Sequence, residues 1–194
     1  SNLFLIPLDD YRCWFRYHHL FADLLQARLK NQVKDAGLAA LHLRAARWLA
    51  ANGLPEEAIR HALAAQDWDR AVELIKAHQY NPESFKRGNP AQLLEWLQAM
   101  PQEVPLKDPQ LANGYGWALA LTGALEPAER ALSAALAASH DDPDGLGDAL
   151  AGLAYIARSK TELPLAAGRA REALALLPAE NAWMRSVAAM TLGL

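Results

Sequence analysis

The sequence predicts an all-α fold: a tetratricopeptide-like superhelix, a right-handed solenoid of helical hairpins, preceded by a small β-hairpin and helix. Three observations carry that expectation. Alanine-rich amphipathic runs recur from residue 35 onward, separated by short Gly- or Asp-containing turns. Two of the later runs align with each other at a fixed offset, as repeats do. Only the first 17 residues show strand-like patterning.

In chain order, LFLIPLDDYRCWFRYH places two apolar or aromatic runs around Asp9-Asp10, a hairpin signal, with Pro7 suited to an edge strand and Cys13 to a small apolar strand position. Leu20, Leu24, Leu25 and Leu29 then fall at helical spacing, so helix replaces strand near Tyr17. Asp35 can open a second helix that runs to the Asn52-Gly53 pair, a C-terminal stop. Pro55 sits in the first turn of the next, where Glu56 and Glu57 complement the helix dipole. Asp67 caps WDRAVELIKAH, and a short pair follows around SFKRG and PAQLLEWLQAM, punctuated by Pro101 and Pro105.

Beyond Lys107 the pattern repeats. Gly116, Gly123, Ala128, Leu132 and Ala135 occupy the small-residue positions of a tetratricopeptide hairpin, where two helices must approach closely. Ala128 aligns with Ala166 and Ala135 with Ala173. The offset equals the tetratricopeptide period of about 34 residues plus a four-residue insertion, expected in the linker SHDDPDGLG. Pro178 closes the second unit, and NAWMRSVAAMTLGL reads as the first helix of a third. The expected division is 1–33 for the N-terminal segment, 34–106 for a first set of hairpins and 107–194 for the repeats.

Composition narrows the function classes. At 194 residues, 52% hydrophobic and 21% charged, the chain can bury a core and is not a disordered segment. Its net charge of -3 is uneven: residues 1–87 hold 12 Lys and Arg against 10 Asp and Glu, and residues 88–194 hold 7 against 12. Neither half has the basic clustering that tracks a phosphate backbone. One cysteine cannot form an internal disulfide or a thiolate cage, which points to a reducing, cytoplasmic setting. No apolar run could span a bilayer, and the opening at Ser1-Asn2 reads as that of an internal fragment.

Chemistry-bearing motifs are absent: there is no P-loop, dinucleotide fingerprint, HExxH or nucleophile elbow, so no catalysis and no metal are expected. His18-His19 point about 100° apart on a helix and lack an acidic or cysteine partner one turn on. His42 and His61 read as core-rim histidines, each with one backbone partner, and Trp48, Trp68 and Trp96 as hairpin-packing residues. If repeats begin at Pro109 and Gly147, their inner helices present Gln110, Asn113, Trp117 and Ala120, then Asp148, Ala151, Tyr155 and Arg158, with Arg185 following in register. An aromatic, amide and charged lining suits a small ligand or a peptide. The competing reading is that Trp117 and Tyr155 pack the interior of the array.

The runs FRYHHLFADLLQARL, LHLRAARWLAANGLPEEAIRHALAAQDWDRAVELI, LLEWLQAMP and GYGWALALTGALEPAERAL resemble the middle of large ATP-dependent LuxR-type transcriptional regulators of the MalT kind. The resemblance implies that residues 1 to about 33 end a winged-helix segment and that the rest begins a superhelical sensor array. In that family a nucleotide-binding module precedes and a DNA-binding helix-turn-helix follows, so ATP and DNA are expected only through those other modules. The function it implies here is effector sensing, with a small-molecule inducer or a regulatory protein as partner and self-association as a further expectation. The alternative is a protein-interaction scaffold that holds a peptide or an inhibitory protein.

Overall fold

A computed structural model describes residues 4–7, 9–11, 13, 15–33, 35–79 and 90–193. The predicted pair around SFKRG therefore lies partly outside the described residues. Two short strands, β1 (Leu5–Pro7) and β2 (Phe15–Tyr17), pair antiparallel in the register Leu5 to Tyr17, Ile6 to Arg16 and Pro7 to Phe15. Helix α1 (His19–Gln32) follows and holds the hairpin through Phe21, whose ring lies 4.6 Å from Phe4 and 5.4 Å from Tyr17. Cys13 departs from the expected strand role. It is exposed, and its backbone N–H donates to Asp9 Oδ1 at 2.8 Å, so the turn chemistry of Asp9 outcompetes the ladder there.

Helices make up most of the remainder. They are α2 (Asp35–Ala51), α3 (Pro55–Ala64), α4 (Trp68–Gln79), α5 (Pro90–Gln98), the short α6 (Glu103–Lys107), α7 (Pro109–Leu121), α8 (Leu125–Ala138), α9 (Pro143–Ser159), α10 (Leu163–Leu176) and α11 (Ala182–Leu192). Consecutive helices pack as pairs, chiefly α2 on α3, α7 on α8 and α9 on α10. Helix α9 also packs on α7, α8 and α11, so successive first helices lie against one another. The core is continuous through α7: Leu111 and Tyr115 join the Ile59, Ile75, Trp96 cluster to the Leu132, Leu153, Ile156 cluster.

One turn design recurs four times. Gly53, Gln66, Gly123 and Thr161 have positive φ (75°, 56°, 85° and 63°), a conformation that L side chains rarely adopt. After each, the next N–H reaches back to the carbonyl five residues earlier: Leu54 to Leu49, Asp67 to Ala62, Ala124 to Leu119 and Glu162 to Ala157. Five residues beyond each positive-φ position stands a fully buried alanine: Ala58, Ala71, Ala128 and Ala166. A larger residue there would hold the paired helices apart.

Two further expectations need correction. The inserted residues before Gly147 are not linker: Pro143 and Asp144 favour a first helical turn, so α9 begins at Pro143, one turn earlier than anticipated. Trp48 is 55% exposed and not packed between helices. Ala46, Leu49 and Ala50 supply the packed side of α2, and a residue two positions from Ala46 projects the other way.

Candidate functional site

The predicted inner-helix residues meet along the seam where α7, α9 and α11 adjoin. Asp108 caps α7 by accepting from Gln110 N and Leu111 N, both at 3.0 Å, and its second oxygen accepts from Lys76 Nζ at 2.6 Å. That arrangement fixes the start of α7, and with it the face carrying Asn113 and Trp117 one turn apart. Gln110 is exposed, whereas Asn113 and Trp117 are only 7% and 9% exposed. The Asn113 amide donates to Gly145 O in the added first turn of α9 at 3.1 Å. Trp117 lies 5.9 Å, ring to ring, from the half-buried Tyr155 of α9.

Two polar atoms of this face have no partner. Asn113 Oδ1, an acceptor, and Trp117 Nε1, a donor, are both buried and unbonded within the protein. Leaving such groups unsatisfied costs about 1–3 kcal/mol each.

The rest of the set joins α9 to α11. Asp148 accepts from Asn181 Nδ2 at 3.0 Å, while Asn181 Oδ1 caps α11 through Met184 N at 3.4 Å. Burial pushes the Asp148 carboxyl up to about 6; the hydrogen bond from Asn181 works against this, and the charges of Asp144 and Asp142 reinforce it. At the other end Arg158 donates to Met190 O at 3.0 Å. Arg185 is half-buried and donates to Leu174 O and Leu177 O, at 3.0 and 2.7 Å. Gln110 apart, each predicted residue is thus engaged across a helix boundary, with the charged side chains bound mostly to backbone and neighbouring amides.

Sequence reasoning missed one pairing altogether. His42 of α2 and His61 of α3 do not take backbone partners: their Nδ1 atoms face each other at 2.8 Å. Their 19-residue separation carries no motif, and only the packing of the two helices reveals it. His18 and His19 lie ring on ring at 4.3 Å. Among the described residues no group of three or more His, Cys, Asp or Glu converges in a way that could hold a metal, and no helix is long and apolar enough to cross a membrane.

Residues 1–37 match the family described as the MalT winged helix domain. Over 142 residues, 69% of this chain, the sequence is 39% identical to the serine/threonine-protein kinase PknK of Mycobacterium tuberculosis (strain ATCC 25618 / H37Rv). The protein of the same name from Mycobacterium bovis is similar to the same degree, and the chain covers 12% of each relative. No solved structure matches the chain. The N-terminal match and the kinase relatives together support a MalT-like family.

Proposed function

We propose that this chain is the effector-sensing region of a LuxR-type transcriptional regulator, built as a tetratricopeptide-like helical array that binds a small inducer along the α7–α9 seam. The observation that carries this reading is the orphaned pair on α7. A donor and an acceptor one turn apart, buried beside Tyr155, are satisfied by a ligand that offers the complementary groups, and their desolvation cost is then relieved on binding. The repeated turn and the packing of α7, α9 and α11 support a solenoid reading of the array.

The mechanism is linkage. A ligand that inserts between α7 and α9 favours one relative placement of the two helices, and shifts the array by no more than its differential affinity for the two placements. The role is binding and not catalysis, because the sequence carries no catalytic motif and Asp148 alone makes no acid–base pair. The kinase activity in the relatives' name is not carried over, and neither nucleotide hydrolysis nor DNA binding is assigned to these residues.

A second reading rests on a different surface. Trp183 and Met190, two turns apart on α11, are each 57% exposed, and this face suits a protein partner, an inhibitory peptide or a second copy.

A thermal-shift panel of sugars, amino acids, aromatic metabolites and short peptides tests the proposal. One small compound should stabilise the chain saturably, by about 2.7 kcal/mol at a hundredfold excess over Kd. Trp117→Phe, which keeps an aromatic ring of smaller size and removes the N–H, should weaken that response at least several-fold. Stabilisation by peptides alone, lost in Trp183→Ala and kept in Trp117→Phe, would replace the small-effector reading with the second one.

A further inference from the structure

The His42–His61 pair has a geometry that identifies what it shares. Its nitrogens are 2.8 Å apart and its ring centroids 5.0 Å apart. The difference is close to twice the ~1.1 Å from the centre of an imidazole to a ring nitrogen, so the two rings meet nearly head-on. Head-on approach is that of an N–H···N hydrogen bond, in which one ring donates its Nδ1–H and the other accepts on its lone pair. A metal chelated by both rings would stand off that line, with the two nitrogens converging on it at an angle.

Two states of charge are compatible with this contact and one is not. When both rings are neutral, one donates and the other accepts. With one added proton the donor is a cation and the bond is strengthened. With two, both Nδ1 atoms carry hydrogen and positive charge at a separation of 2.8 Å, and the contact cannot persist.

Among the described residues, no carboxylate is hydrogen-bonded or ion-paired to either ring. Burial disfavours protonation of His61, and the charges of His42 and Arg60 add to that effect. Glu57, one turn before His61, is engaged by Arg60 at 3.0 Å. Helix α5 meets Glu56 of α3 with the neutral amide of Gln92, also at 3.0 Å. On α4, Arg70 pairs with Glu73 and Lys76 with Asp108, each at 2.6 Å, and the His78 ring lies edge-on to Trp96.

The location gives the contact leverage. Among the described residues, the main packing partner of α2 is α3, so this seam is where α2 is tied to the helices that follow it. We infer that the His42–His61 contact is a proton-operated joint, closed while the pair holds at most one extra proton and released when both imidazoles are charged.

The test is histidine NMR on the intact chain from pH 8 to 4.5, with hydrogen exchange of α2 and α3 at the two ends of that range. The pair should lose its protons in two steps more than one pH unit apart, with one Nδ1 protonated and the other not at neutral pH. His61→Gln retains a neutral hydrogen-bonding side chain and should exchange like wild type at pH 7. At pH 5 the wild type should exchange faster than the variant across α2, by up to about thirtyfold, the limit set by the distance from that pH to the ordinary imidazole pKa of about 6.5. His42→Gln serves as the second variant should His61→Gln fold poorly. Independent, single-step titration of the two rings, or equal protection in wild type and variants at both pH values, would overturn the inference.

Discussion

Leu132 of α8 fills the space left by Gly116 of α7: a methyl group on Gly116 would stand 2.5 Å from Leu132 Cγ. Gly152 of α9 accommodates the same leucine from the other side, at 2.7 Å from Leu132 Cδ1. Leu132 is thus a knob held between the first helices of successive pairs. Gly116→Ala should destabilise the chain by about 1–3 kcal/mol, the usual range for overpacking, even though alanine is the better helix former. Combining Gly116→Ala with Leu132→Ala should cost less than the two single changes added, because the second removes the atoms the first collides with. Urea unfolding of the four proteins measures this directly, and strict additivity would show that the collision is relieved by some other movement.

Trp117→Ala and Trp117→Phe should separate packing from recognition. At 9% exposure the tryptophan belongs to the core, so truncation to alanine should cost about 3–5 kcal/mol and lower the melting temperature sharply. Phenylalanine retains most of the apolar area and deletes an N–H that has no partner, so its cost should be no more than about 1.5 kcal/mol. Equal losses in the two variants on calorimetry would mean that the indole N–H is bonded in solution, for instance through a buried water.

Much of the architecture was legible in the sequence because it rests on local signals. Asp67 bonds Arg70 N at 3.1 Å, Pro55 opens α3, and the Asn52-Gly53 pair ends α2, each as its residue type dictates. The alignment of Ala128 with Ala166 also survives, with both buried at equivalent places after their turns. The same design in the first half was not legible. Its turns are closed by Gly53 in one case and Gln66 in the other, and the diagnostic Ala58 and Ala71 are lost among many alanines. The candidate site was legible only as a set of residues on one face. Which atoms it leaves unpaired depends on partners more than 30 residues away, such as Gly145 for Asn113 and Asn181 for Asp148, and no local spacing encodes them.

The four-fold turn makes a stability prediction. Gln66 and Thr161 hold φ of 56° and 63° with a Cβ present, whereas Gly53 and Gly123 meet the same demand without one. Gln66→Gly and Thr161→Gly should each stabilise the chain, by roughly 0.5–1 kcal/mol after the greater freedom of glycine in the unfolded chain is set against the relief. Thr161 should gain more, because its branched Cβ is the less tolerant of this backbone. Chemical denaturation of both variants checks the order as well as the sign.

Asp148 gives the stability of the α9–α11 seam a pH dependence of unusual sign. Its carboxyl is raised to about 6 by burial, with Asp144 and Asp142 adding to the shift. The folded protein therefore binds a proton that the unfolded chain has already released, and stability falls as pH rises from about 4 to 6 instead of increasing. Because the side chain is still partly in contact with water, the change is about 1–2 kcal/mol and not the full linkage value. Asp148→Asn keeps a group able to accept from Asn181 and carries no charge, so it should be more stable than wild type at pH 7 and level with it at pH 4. His61 pulls the other way. Its imidazole is depressed by burial, by His42 and by Arg60, so its contribution is complete above the ordinary histidine range and is lost as pH falls below it. Melting curves of wild type, Asp148→Asn and His61→Gln between pH 4 and 8 resolve the two. The aspartate variant should remove the decline on the approach to pH 6, and the histidine variant should flatten the rise that overlaps it.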